Sequence, residues 1–201
     1  MNLFELNQRE RGYITNRYKE DHPDLGRIYK WLNKRGFKEI GNGFYSHVLA
    51  HSKRDYVVKL SKISDIHYLR YATWAQDNWQ HNPLLPPIHD IWRTGGMFLV
   101  VMDKLIPNDD SHIDSLIDHA IKSVRDGRQD WTPLQRLTDW INDRAFELNY
   151  PEHAEWARRN FDHLLEFTTF IAEQGMPLDL HKGNIMRNPQ TRQFVITDPV
   201  G

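Results

Sequence analysis

Residues 176–184 read Met-Pro-Leu-Asp-Leu-His-Lys-Gly-Asn, "MPLDLHKGN", and residues 196–199 read "ITDP". The first stretch gathers a carboxylate (Asp179), an imidazole (His181), an amine (Lys182) and a carboxamide (Asn184), with Gly183 after the amine. Apolar segments lie on both sides. Polar groups are costly beside segments bound for a core, so this concentration calls for a chemical reason.

Phosphoryl transfer is one such reason. An attacking hydroxyl needs a carboxylate to orient it and take its proton, and the transferred phosphate needs Mg²⁺, a hard cation served by a few oxygen ligands. Asp179 as base, with Asn184 and Asp198 as metal ligands, meets those needs. The plainer reading has Asp179 capping a turn, Asn184 in a loop and Asp198 opening an Asp-Pro turn.

Two stretches upstream bear on the choice. "GNGFYSHV" at 41–48 sets two glycines around one residue between apolar runs. Glycine lets backbone amides approach phosphate oxygens without a Cβ in the way. Asn-Gly is also an ordinary tight-hairpin dipeptide. Lys59 sits inside the apolar run "YVVKL". Its ammonium there either holds phosphate or lies on the solvent face of an amphipathic strand.

The rest of the chain supplies an order of elements. Leu25, Ile28, Tyr29 and Leu32 predict a helix over 24–35, with Asp24 as N-cap and Gly36 as stop. A hairpin around "GNG" and a third strand through "YVVKL" follow. Ile66, Leu69, Ala72 and Ala75 predict a helix over 64–80, capped by Ser64 and broken by "NPLLPP". "IHDIW" and "MFLVVM" read as a strand pair joined at "TGG". Residues 111–174 are mostly helical. The last helix, near 152–174, places Phe161, Leu164, Leu165, Thr168 and Ile171 inward and stops at Gly175. "IMR" and "FVI" read as a late hairpin. A strand-rich first half thus precedes a helical second half, with the boundary near 103–107.

Composition narrows the function classes. The 26 basic and 27 acidic residues nearly balance, which gives no electrostatic case for a nucleic-acid or membrane partner. Without cysteine there is no thiol nucleophile and no thiolate metal site. The N-terminus "MNLFELNQRERGY" has no apolar signal core. No apolar run nears the roughly 20 residues of a membrane span. A soluble chain with an intracellular site of action is expected. Apart from His181, the histidines have no spacing that suggests a metal site.

Glycine loop, strand lysine, helix, strand pair, helices, D-x-x-x-x-N, and a strand ending in Asp form the kinase series. From about residue 37 onward the chain resembles the protein-kinase-like superfamily. "DLHKGN", with histidine two places after the aspartate, is similar to the catalytic loop of aminoglycoside phosphotransferases and other atypical kinases. "GNGFYSHV", "LDLHKGNIM" and "ITDPV" together resemble the early serine/threonine protein kinases of short-tailed, T-odd-type coliphages.

That resemblance implies an α+β, two-lobed protein-kinase-like fold. Residues 1–36 would form a helical extension, 37–105 a small antiparallel-sheet N-lobe and 106–201 a reduced helical C-lobe. It implies ATP and Mg²⁺ (or Mn²⁺) as cofactors. Gly41, Asn42, Gly43, Ser46 and Val48 would cover the phosphates, and Lys59 would bind the α- and β-phosphates. Met102 takes the gatekeeper position, and Asp103 to Leu105 the hinge whose backbone binds adenine. Asp179 is the implied base, His181 and Lys182 stand where kinases place a phosphate-contacting cation, and Asn184 and Asp198 are the implied metal ligands. The implied activity is phosphorylation of host proteins of transcription, RNA processing and translation in the host cytoplasm, without direct nucleic-acid or membrane contact.

The chain also departs from the kinase pattern. Pro-Val follows Asp198 where Phe-Gly is usual, and Pro177-Leu178 precede the base where His-Arg is usual. No glutamate occurs between Glu39 and Glu147, so the helix acid that pairs with the strand lysine is missing, with Asp77 or Asp65 as its substitute. The sequence stops soon after Asp198, as a minimal kinase or the kinase part of a longer chain. Two rivals stand beside the protein kinase: an aminoglycoside-type small-molecule kinase, and a pseudokinase that acts by binding a host protein. Oligomeric state has no signal in the sequence.

Overall fold

A computed structural model describes residues 25–94, 96–110, 113–126, 130, 132–140, 151–177, 179 and 183–200. The architecture is α+β, with a five-stranded antiparallel sheet and six helices among the described residues. The chain divides into two compact units, Met1–His81 with Leu85–Leu105, and Asn82–Leu84 with Ile106–Gly201.

In the first unit, helix α1 (Leu25–Lys34) precedes β1 (Phe37–Asn42), β2 (Ser46–His51) and β3 (Tyr56–Lys62). Helix α2 (Ile66–Asn78), β4 (Ile88–Thr94) and β5 (Met97–Asp103) complete it, and the sheet order is β1-β2-β3-β5-β4. Helix α1 ends at Gly36, whose φ of 87° lies in the left-handed region. A Cβ there would also meet the His51 ring at 2.9 Å, so this glycine is demanded by the fold. The expected cap Asp24 lies outside the described residues.

Both faces of β3 are covered, which is why "YVVKL" is a continuous apolar run instead of an alternating one. Tyr56, Val58 and Leu60 join Ile28, Trp31 and Leu32 of α1, with Leu49, Leu99 and Val101, in one buried cluster. Val57, Lys59 and Ser61 point to the opposite face, since successive strand residues alternate. There Tyr68 of α2 stacks on Phe98 of β5, with ring centroids 6.0 Å apart.

Two details of α2 differ from the sequence expectation. Asp65, not Ser64, holds the N-cap position, and its side chain makes no capping bond. Ile66 is exposed, while Tyr68, Leu69, Tyr71, Ala72 and Ala75 are buried. Residues three apart drift about 60° backwards around a helix at each step. The two tyrosines therefore share the buried arc, and Ile66 is carried off it.

The second unit is built on α3 (Ile113–Asp126), α4 (Pro133–Asp139), α5 (Pro151–Arg159) and α6 (Phe161–Glu173). Ile113, Leu116, Ile117, Ala120, Ile121 and Val124 make one buried stripe on α3, the i, i+3, i+4, i+7 pattern of a core-facing helix. Thr132 and Gln135 close a capping box on α4. The helix expected near 152–174 is two helices broken at Asn160, which has φ −105° and ψ 21°. Its backbone N–H still donates to the Trp156 carbonyl at 3.0 Å, and its side-chain Nδ2 donates to the same carbonyl at 2.9 Å. Leu164, Phe167, Thr168 and Ile171 form the buried face of α6; Phe161 and Leu165 are only half-buried. Gly175, with φ 57°, ends that helix.

Strands β6 (Ile106–Pro107), β7 (Ile185–Arg187) and β8 (Phe194–Ile196) form an antiparallel sheet in the order β6-β7-β8. Asn82 is woven into this unit. Its Nδ2 donates to the His163 carbonyl at 3.0 Å and to Glu166 Oε2 at 2.9 Å, and its Oδ1 accepts from Leu84 N at 3.0 Å. The Leu84 carbonyl in turn accepts from Ile196 N at 2.8 Å. Among the described residues, no helix is long and apolar enough to cross a membrane.

Candidate functional site

Each unit carries one group of the sequence-predicted residues. In the first, Gly41 opposes Val48, Val48 opposes Lys59, and Lys59 opposes Val100. This row runs straight across four strands, and directly opposed residues share a face. The β1–β2 connection is Gly43-Phe44-Tyr45, so the turn lies two residues past the expected "GNG" tip, after a bulge between Glu39 and Gly41. Gly43 N donates to the Ser46 carbonyl at 2.8 Å.

Neither Gly41 nor Gly43 has a left-handed φ, and an added Cβ would find only Val48 Cβ at 3.9 Å or Ser46 Oγ at 3.6 Å. The ordinary-turn reading of Asn-Gly needs positive φ at its central residues, and that geometry is absent here. Both glycines are exposed. The protein's own packing therefore gives no reason for glycine at either position, unlike Gly36.

A polar brace holds the base of this turn. Glu39 Oε2 meets His47 Nδ1 at 2.9 Å, and Glu39 Oε1 accepts from Asn42 Nδ2 at 3.0 Å. The Tyr29 hydroxyl, the His47 ring and Asn42 hold the Glu39 carboxyl below its usual range, with Tyr29 the largest contributor. Hydrogen bonds to the ionised form favour that form. Tyr29 comes from α1, so the helical extension is tied to the turn.

Lys59 is 4% exposed. Its Nζ lies 3.3 Å from the centroid of the Tyr68 ring. Asp77 is exposed. It stands nine residues after Tyr68, about 180° around the helix and about 13 Å along it. Asp77 therefore does not replace the missing glutamate.

In the hinge segment, Met102 is buried opposite Val57. Asp103 N donates to the Pro87 carbonyl at 3.1 Å and Lys104 N to the Asp55 carbonyl at 2.8 Å. The Asp103 carboxylate also meets His89 Nε2 at 2.7 Å. Among these three hinge residues, Leu105 alone has an N–H not engaged by a described backbone carbonyl.

The second unit brings Asp179, Asn184 and the 197–199 segment together. Asn184 Nδ2 donates to the Asp179 carbonyl at 2.5 Å, and Asp179 N donates to the Pro199 carbonyl at 2.9 Å. Thr197 donates twice to the Asn184 carbonyl, from N at 2.7 Å and from Oγ1 at 3.0 Å. Asp198, between Thr197 and Pro199, is thereby held beside the loop. Asp179 is exposed, Asn184 is 8% exposed and Asp198 is half-buried with its Oδ1 shut off from solvent. His181 and Lys182 lie outside the described residues.

With Nδ2 of Asn184 given to the loop, its Oδ1 is the atom left for a cation. One carboxamide oxygen and one carboxylate are hard donors of the kind Mg²⁺ takes when phosphate oxygens and water complete its shell. No group of three or more His, Asp or Glu among the described residues could hold a metal by itself. This donor set fits a metal that arrives with a phosphate ligand.

Three participants escaped the sequence reading. Tyr68 carried a signal, an aromatic residue opening the helix after the strand lysine, but its meaning depended on which arc of α2 is buried. Thr197 and Pro199 were visible as part of "ITDP", yet their backbone closure onto Asn184 and Asp179 is a tertiary pairing. Residues 7–201 match the family described as Bacteriophage T7 protein kinase 0.7. No curated protein matches the chain.

Proposed function

The chain belongs to the Bacteriophage T7 protein kinase 0.7 family and is thus a phage protein kinase; from that premise we propose that it transfers the γ-phosphoryl group of ATP to serine or threonine hydroxyls of host proteins. The observation that carries this reading is the hydrogen-bonded closure of Asp179 and Asn184 onto the segment bearing Asp198. It holds a candidate base and two candidate metal ligands in one cluster.

Each residue then has a task. The exposed Asp179 carboxylate orients the substrate hydroxyl and accepts its proton as the oxygen bonds to the γ-phosphorus and ADP leaves. Asn184 Oδ1 and the Asp198 carboxylate hold Mg²⁺ (Mn²⁺ as a substitute), which when bound neutralises charge on the phosphates. Lys59 holds the α- and β-phosphates as a compact cation. Gly41, Asn42, Gly43, Ser46 and Val48 cover them, with open space at the glycines for the backbone to approach. The Leu105 N–H is the hinge donor for adenine, under the Met102 gatekeeper. His181 contacts phosphate. The reading includes a two-lobed kinase-like fold and action in the host cytoplasm.

The test uses labelled ATP, Mg²⁺ and bacterial lysate, beside an Asp179→Ala variant. The expected result is label on serine and threonine of several proteins, falling about 10²–10⁴-fold in the variant, as for loss of a general base. Label confined to small molecules would establish an aminoglycoside-type kinase instead. Stable capture of one host protein without any transfer would establish a binding role.

A further inference from the structure

We propose that Glu39 and Tyr29 are positioning residues for the phosphate-covering turn, acting through Asn42 and His47 from the face of the sheet opposite Lys59. The inference rests on the reading of that turn as the phosphate cover. Its geometric basis is the bulge in β1. Glu39 opposes Leu49, Gly41 opposes Val48 and Asn42 opposes His47, so Ile40 is the extra residue.

The bulge decides which side chains share a face. In a regular strand, residues three apart point to opposite faces. Here the extra residue brings Glu39 and Asn42 to the same one, and re-aiming a side chain in this way is a known use of bulges. Leu49 and His47 alternate on β2, and Leu49 lies in the buried cluster with α1. Glu39, Asn42 and His47 therefore face α1, while Gly41, Val48 and Lys59 face the other way.

One carboxylate then gathers three donors. Asn42 Nδ2 donates to Oε1 at 3.0 Å and His47 Nδ1 to Oε2 at 2.9 Å, and the Tyr29 hydroxyl donates as well. The Tyr29 ring meets the His47 ring edge-on, with centroids 5.4 Å apart. Tyr29 also packs against the buried cluster, so the far end of the brace is fixed in the core. The near end holds both strands where they enter the turn, at Asn42 and His47.

This arrangement solves two problems for a phosphate cover. Glycines leave a turn loose, and ordering it on binding costs affinity unless its base is already set. A carboxylate on the ligand face would repel phosphate, whereas one behind the sheet sets the turn without meeting the ligand.

The test measures MgADP and adenosine binding to the full chain by calorimetry. Tyr29→Phe keeps the ring against His47 and loses only the hydroxyl. It is expected to weaken MgADP about fivefold, the scale of one hydrogen bond. Glu39→Ala should weaken it about tenfold or more, since it releases all three donors. Adenosine, which has no phosphate, should bind as before, and general destabilisation would move both ligands alike. In a Glu39→Ala background, Tyr29→Phe should add nothing, because the carboxylate that links it to the turn is gone. Unchanged MgADP affinity in Tyr29→Phe, equal losses for both ligands, or a full Tyr29→Phe effect without Glu39 overturns the inference and leaves the brace as packing. If Gly41→Ala and Gly43→Ala leave MgADP binding intact, the phosphate role of the turn falls, and this inference with it.

Discussion

Asn184 reaches back across the loop and donates its side-chain N–H to the carbonyl of Asp179 at 2.5 Å. The carboxamide therefore has two ends with two duties. Nδ2 sets the loop that presents the candidate base, and Oδ1 is the end we propose for a cation.

Asn184→Asp separates those duties. It retains an oxygen ligand and the side-chain volume but removes the donor and sets a second carboxylate beside Asp198. We expect kcat to fall about 10²-fold, the scale of a small displacement of a catalytic group. The loss in folding stability should be only about 1–2 kcal/mol. Steady-state kinetics with a urea titration read both, and an unchanged kcat would remove Asn184 from the loop-setting role.

The glycines divide by the reason each is glycine. Gly41→Ala and Gly43→Ala meet nothing closer than 3.6 Å, so the urea midpoint should hold while MgATP affinity drops several-fold. Gly36→Ala forces a Cβ to 2.9 Å from the His51 ring at φ +87° and should cost about 1–2 kcal/mol of stability. The reverse pattern would mean that the turn glycines serve folding alone.

Asp77→Asn should leave ATP use unchanged, because the side chain is exposed on the face of α2 away from Lys59. Lys59→Met, measured alongside, should nearly abolish turnover. Parallel losses in the two variants would show that Asp77 acts on the lysine after all.

Glu39 predicts an acid-side effect. Its carboxyl is held below the ordinary 4.5 by the Tyr29 hydroxyl, His47 and Asn42. A depressed native pKa means that the unfolded chain takes up the proton first as pH falls. The stabilisation is therefore complete above the ordinary value and is lost as pH drops through the native one. Glu39→Gln should lower Tm at neutral pH and flatten its decline below about pH 5. Identical acid limbs in the two proteins would refute a role for this brace.

Much of the molecule was legible in the amino-acid order because the relevant physics is local. The helical spacing of Leu25, Ile28, Tyr29 and Leu32, the run "YVVKL" and the stops at Gly36 and Gly175 each announce an element through side-chain period or backbone permissiveness. The spacing of Asp179, Asn184 and Asp198 likewise announced a chemistry, since each task demands one residue type. Other signals were ambiguous for the same local reason. Nothing in the apolar period around Asn160 shows that its backbone would leave the helical region, at φ −105° and ψ 21°, and split the helix.

What tertiary structure decided was which face each element buries and which backbone groups close on one another. Lys59 in "YVVKL" has the same local pattern whether its ammonium meets water, Asp77 or a ring. Packing of α2 against β5 turned Tyr68 inward and left Asp77 outside. Asp179 and Pro199 are likewise joined only once β7 and β8 pair and bring Thr197 to Asn184. Sequence alone determined the kinds of element and singled out the residues proposed for phosphoryl chemistry, because propensity and side-chain type act within a few residues. Their partners were settled by burial and hydrogen-bond satisfaction across the fold, forces that act between segments the chain order keeps apart.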